Sequence, residues 1–175
     1  MPKIELMPGD FFCTKNPMAL GKAIRFMETF WKGHKAVYSH SGIITDRDGT
    51  SLEALWTIRG NSIDAYDGEE VIIGRWTGMT PEALQRGYEA IAEEIHEGYP
   101  FWRLFLFMIP ALAKWVSSGN FTVCSELVCK FLQGAGFSMV ERWQGMNPDD
   151  VADIIDKYRD ITKIYEGVWK GCEKY

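Results

Sequence analysis

Apolar positions recur along this chain in two rhythms, and each rhythm predicts a different kind of element. Short apolar or alternating runs between turn residues predict strands. The turn signal Met7-Pro8-Gly9-Asp10 leads into the apolar stretch Phe11-Phe12-Cys13. Val37–Thr45 is a strand candidate, Asp46-Arg47-Asp48-Gly49 a hairpin-type turn, and Ser51–Trp56 the returning strand. Gly60–Asp64, Glu70–Trp76 and Ile161–Trp169 read as further strands, and Phe121-Thr122-Val123 as a short extended piece. Spacings of three and four predict helices. Ala19–Trp31 places Leu20, Ile24, Met27 and Phe30 or Trp31 on one face. Thr80-Pro81-Glu82 opens a helix with Thr at the cap and Leu84, Tyr88, Ile91, Ala92 and Ile95 as its stripe. Further helices are predicted around Phe101–Val116, over Ser125–Leu132 with its end at Gly134 and Gly136, and from Asn147-Pro148-Asp149-Asp150 onward. A meander-like set of strands flanked by helices predicts an α+β fold.

Composition narrows the class. The 175 residues suit a single domain over the whole chain, and 46% hydrophobic with 14% aromatic residues is enough for a sizeable core. That mixture excludes global disorder. With 24 acidic against 19 basic residues, net −5, the chain repels phosphate backbones, so nucleic acid is not an expected partner. The basic cluster Lys22, Arg25, Lys32 and Lys35 is explained equally by a solvated helix face. Phe101–Val116 is the most apolar stretch, but Arg103, Pro110 and Lys114 interrupt it, and a membrane span needs ~20 apolar residues. It reads as a core or interfacial helix, so no membrane crossing is expected and peripheral membrane contact stays open. MPKIELMPGDFF has no apolar core of leader length, so a cytoplasmic location is expected, with the four cysteines reduced. Those cysteines, Cys13, Cys124, Cys129 and Cys172, form no CxxC pair, and no cofactor or metal is expected.

Two segments carry chemistry when read together. In Tyr38-Ser39-His40-Ser41-Gly42-Ile43-Ile44 a histidine sits in an apolar strand, with Tyr38, His40 and Gly42 on one face. Thr122-Val123-Cys124-Ser125-Glu126-Leu127-Val128 is a strand-to-helix junction with a cysteine in the first turn. Free amides and the helix dipole there favour an anion and lower a thiol pKa from ~8.5. A histidine on a rigid strand with such a cysteine is the recipe for a thiolate–imidazolium nucleophile. The plainer reading is also available. Cys124 lies on a stripe with Leu127, Val128, Phe131, Leu132 and Ala135, as a small core residue would. Cys129 falls off that stripe. His34 reads as a solvated loop residue, and His96 as a cation at a helix end. Glu53, between Leu52 and Ala54, lies across the hairpin turn from His40 and can orient its ring. As the orienting acid, Glu53→Gln is expected to reduce turnover while leaving stability within about 1 kcal/mol, as for a surface change; the alternative is the solvent side of an alternating strand, where activity should not change.

These segments resemble a known family. Pro8-Gly9-Asp10-Phe11-Phe12, Ser39-His40-Ser41-Gly42-Ile43, Leu52-Glu53-Ala54, Val123-Cys124-Ser125-Glu126-Leu127-Val128 and Asn147-Pro148-Asp149-Asp150-Val151 occur in the order of the circularly permuted, papain-like cysteine hydrolases of the YiiX-like kind. These are a branch of the superfamily of NlpC-type cell-wall endopeptidases and lecithin retinol acyltransferases. The resemblance implies an antiparallel β-sheet or small barrel packed against helices. It also implies Cys124 as nucleophile, His40 as general base and Glu53 as orienting acid. Tyr38 is a candidate oxyanion or substrate contact because it shares the predicted strand face of His40. The implied activity is that of a cysteine amidase or peptidase, with cell-wall-type peptides as one substrate class. A lipid-directed acyltransferase or esterase using the same residues, and a non-enzymatic papain-like module binding a peptide or lipid, are the alternatives. The oligomeric state is not implied.

Overall fold

The predicted hairpin turn folds as its residues dictate. Asp46 Oδ1 accepts the N–H groups of Asp48 and Thr50 at 2.9 and 3.0 Å, and Gly49 takes φ +82°. The computed structural model describes residues 4–15, 37–54, 58–92, 124–138 and 143–171. Its strands are β1 (Phe11–Thr14), β2 (His40–Ile44), β3 (Thr50–Ala54), β4 (Ile58–Ser62), β5 (Glu70–Trp76) and β6 (Ile161–Val168). They pair antiparallel in the order β4-β3-β2-β1-β5-β6, an open sheet and not a barrel. The helices are α1 (Pro81–Ile91), α2 (Cys124–Ala135) and α3 (Pro148–Lys157), which makes the fold α+β.

Both faces of this sheet are covered. On the helical face Phe11, Cys13, Ile43 and Ile72 meet Leu127, Phe131 and Leu132 of α2 and Val151 and Ile155 of α3. On the other face Phe12, Ile44, Val71 and Ile73 pack with Leu6, Ile63, Tyr66 and Trp169. Every residue of β1 and β2 is therefore buried, and the alternation expected of a half-solvated sheet is missing there. The turn before β1 is held by Asp10. Its carboxylate accepts the Met7 N–H at 2.8 Å and pairs with Arg75 of β5 through two bonds of 2.7 and 2.8 Å.

The helix signals work as chemistry predicts. Thr80 caps α1 by accepting from Ala83 N–H. Asn147 and Asp150 form a reciprocal capping box on α3. Gly136 ends α2 at φ +105°, with Gly136 N–H bonded to Gln133 O and Phe137 N–H to Leu132 O.

Several boundaries and faces differ from expectation. The strand predicted over Val37–Thr45 begins only at His40, so Tyr38 precedes it. The strand predicted over Gly60–Asp64 is Ile58–Ser62, because Ser62 accepts from Asp64 N–H and turns Ile63–Tyr66 into a short 3-10 helix. Gly134 lies inside α2, where it lets α1 approach. The face of α1 is also rotated. Ala83, Gly87 and Ile91 are buried, whereas Leu84, Tyr88 and Ala92 line an open groove on its outer side. Cys129, off the predicted stripe, is fully buried because α2 is covered on most sides. Ala19–Trp31, the basic cluster, His34, Ile95, His96, Phe101–Val116, Phe121-Thr122-Val123 and Cys172 lie outside the described residues. No helix among the described residues is long and apolar enough to cross a membrane.

Candidate active site

The hairpin register decides what His40 meets. Ile43 pairs with Leu52 and Ile44 with Ser51, which continues to Gly42 opposite Glu53. Glu53 can fold over that position because Gly42 has no side chain. A Cβ there would lie 2.8 Å from Glu53 Cγ and 2.7 Å from Phe12 Cε1. The carboxylate reaches diagonally to His40 and accepts from its Nε2 at 2.8 Å.

Glu53 is fully buried and draws three more donors. Ser51 Oγ donates at 2.5 Å, Tyr66 Oη at 2.6 Å and Asn61 Nδ2 at 3.3 Å. The solvent-facing alternative for Glu53 is thereby corrected: the second face of the sheet is a core. Burial alone would raise its pKa, but the bonds from His40, Ser51 and Tyr66 win, and the carboxyl is held below its ordinary range. Tyr66 also stacks obliquely on the imidazole, with ring centroids 5.7 Å apart. Burial and the adjacent Glu53 charge keep its own hydroxyl protonated, hence a donor.

Cys124 opens α2 and is partly exposed, unlike Cys13 and Cys129. The start of the helix is fastened on both sides. Ser125 Oγ donates to Met146 O at 2.6 Å, and the Glu126 carboxylate accepts Gly145 N–H at 2.7 Å. Where α2 packs on β2, the thiol and the His40 imidazole couple through their charges. Nε2 being committed to Glu53, Nδ1 is the ring nitrogen left for sulfur. Burial opposes charge on both groups. The mutual attraction of thiolate and imidazolium overcomes it, lowering the thiol from its ordinary 9.0 and lifting the imidazole to about 10. Ser41 assists the thiolate. Cys13 and Cys129, the other thiols among the described residues, respond only to burial and neighbouring negative charge, and both are pushed up. His40 is thus held by the Glu53 carboxylate through a hydrogen bond and coupled by charge to the Cys124 thiol.

Tyr38 is placed differently from its expected strand face. Its N–H donates to Asp149 Oδ1 at 2.9 Å, as does that of Val37 at 3.2 Å, pinning the approach to β2 onto the start of α3. Its ring packs against the helical-face core. Sequence reasoning missed Ser51, Asn61 and Tyr66 around Glu53. The available signal was general: a buried carboxylate needs donors, and these are polar residues of its own strand and the next two elements.

No family model matches the sequence, and no curated protein matches it. A solved structure, described as metalloprotein yiiX from Escherichia coli O157:H7, is similar to this chain at 15% identity and TM-score 0.59. The match covers 93% of this chain and 98% of that one. The fold is YiiX-like. The YiiX-like likeness carries architecture alone at that identity. The word metalloprotein belongs to the neighbour. Among the described residues here, no three His, Cys, Asp or Glu side chains converge to hold an ion. Glu53 already accepts from His40, Ser51, Asn61 and Tyr66, so its carboxylate is occupied and this donor set does not fit a shared metal.

Proposed function

We propose that this protein is a cysteine hydrolase of the amidase or peptidase type, with Cys124 as nucleophile, His40 as acid–base and Glu53 as the group that orients the imidazole. The observation that supports it is the buried hydrogen bond from His40 to Glu53 beside a cysteine at the start of α2, whose thiol pKa the imidazole lowers. In this reading the Cys124 thiolate attacks the carbonyl carbon of an amide or ester. As the S–C bond forms, the carbonyl electron pair moves to oxygen, where the Cys124 N–H at the start of α2 donates. The oxyanion collapses, the bond to nitrogen or oxygen breaks, and His40 protonates the leaving group. His40, now neutral, takes a proton from water as water attacks the thioester. Collapse then releases the carboxylic acid and restores the thiolate beside the imidazolium. Glu53 stays ionised throughout and holds the ring. Cell-wall-type peptides are the first substrate class to examine, given the order of the motifs.

Intact-protein mass spectrometry after acid quench tests this with a panel of peptide amides, thioesters and p-nitrophenyl esters. An acyl adduct on Cys124, absent from Cys124→Ala and slow to form in His40→Gln, is the expected result. Equal behaviour of wild type and Cys124→Ala across the panel overturns the proposal.

A further inference from the structure

The β2 residue Ser41 has a polar side chain with an unusual position. It is fully buried, and its Oγ makes no hydrogen bond in the resting arrangement. An enclosed hydroxyl without a partner is destabilising, and alanine at the same place would avoid that cost. Parity along the strand explains where it points. His40 and Gly42 face the side of Glu53 and Tyr66, while Ser41 and Ile43 face the helices, and Cys124 is packed against that same helical-face core. The backbone points the same way. Ile44 N–H bonds across to β1 at Asp10 O, so the N–H of Ser41, three residues back, leaves on the β3 side. There the recorded pairing with β3 ends at Ile43–Leu52, which leaves the Ser41 N–H outside the ladder where β2 packs on α2.

We propose that Ser41 is a two-donor clamp on the Cys124 thiolate, its N–H lying on the side of the sulfur and its orphan hydroxyl reaching the sulfur by rotation about its own Cα–Cβ bond. This rests on Cys124 being the nucleophile and adds a residue that motif position alone did not single out. Sulfur anions accept hydrogen bonds, and a donor to a charged acceptor is worth more than one to a neutral group. The clamp enlarges the fraction of thiolate at neutral pH without altering the relay through Glu53. The other groups facing the sulfur are His40 from β2, Cys13 from β1 and Tyr66 from the 3-10 helix, and a change at Ser41 leaves each in place.

The test is the pH dependence of iodoacetamide alkylation at Cys124 in full-length wild type, Ser41→Ala and Ser41→Thr, with thermal melts alongside. Ser41→Ala is expected to slow labelling roughly tenfold at pH 6 by moving the titration limb upward. Above the limb it should label as fast as wild type or faster, since a more basic thiolate is intrinsically more nucleophilic. Ser41→Thr keeps the hydroxyl and is expected to restore the wild-type limb. An unchanged limb in Ser41→Ala overturns the clamp. So does a Ser41→Ala protein that melts below the assay temperature, because the hydroxyl is then structural. Alkylation needs no substrate, so failure here differs from failure of the hydrolase reading, which shows as a missing acyl adduct.

Discussion

At the scale of single residues the structure turns on one carboxylate. A Glu between Leu52 and Ala54 tells a reader which face it occupies, but not whether that face meets solvent. Only the covering of the second face by Ile63, Tyr66 and Trp169 makes it a buried charge. Four donors on one carboxylate give a definite expectation. Glu53→Gln removes the charge facing the imidazole and puts an amide donor among donors. It should cost about 2–3 kcal/mol in urea unfolding and also depress turnover. A change below about 1 kcal/mol would mean that the donors around Glu53 contribute little. The thiols give a second residue-scale expectation. Cys13 and Cys129 are buried with raised pKa, whereas Cys124 is partly exposed with a lowered one. Brief iodoacetamide treatment at neutral pH followed by peptide mapping should label Cys124 well ahead of both. Equal labelling of the three in the folded protein would remove the case for an activated thiol.

At the scale of elements, what could be read from the sequence were features with local causes. The Asp46–Gly49 turn, the caps Thr80 and Asn147 and the glycine end of α2 depend on a few adjacent atoms, so each is legible where it stands. The face of α1 is not, because it depends on α2. Gly87 admits Phe131, and a Cβ there would lie 2.6 Å from Phe131 Cε2. A Cβ on Gly134 would collide with Ala90 Cβ and sit 3.1 Å from Arg86 O. Two small positions bring the helices together and turn Ala83, Gly87 and Ile91 inward, so that the larger Leu84 and Tyr88 end up half-buried. Alanine is favoured over glycine in a helix by about 1 kcal/mol, but overpacking costs about 1–3 kcal/mol. Backbone lies behind Gly134, so packing should win. Gly134→Ala is expected to lower the melting temperature and, by shifting α2, to slow alkylation of Cys124. A melting temperature above wild type would show that the crossing has room to spare.

At the scale of the whole molecule the coupled thiol and imidazole leave a mark on stability that neither would leave alone. Sequence motifs pointed to the two groups, but their joint protonation depends on the fold bringing β2 and the start of α2 into contact. In the unfolded chain at pH 7 the pair binds one proton, on sulfur, since the ordinary pKa values are 6.5 for the imidazole and 9.0 for the thiol. In the folded protein it also binds one proton, now on the imidazole. Between 6.5 and 9.0 the pair therefore takes up and releases no net proton on folding, and its contribution to stability is level. Below 6.5 the unfolded pair gains a second proton that the folded thiolate, with its lowered pKa, resists, so stability falls as pH falls. Above 9.0 the unfolded thiol ionises while the folded imidazolium holds its proton until about 10, so stability falls as pH rises. In Cys124→Ala only the imidazole remains, held by Glu53. There the two largest causes that lift the imidazole are gone and Glu53 alone works against burial; where Glu53 wins, the contribution is complete below 6.5 and is lost as pH climbs. The difference in urea midpoint between wild type and Cys124→Ala should accordingly widen from pH 6.5 to 9.0, with every other titrating group cancelling between the two proteins. Parallel profiles would mean that, once the thiolate is gone, Glu53 no longer holds the His40 imidazole above its ordinary value.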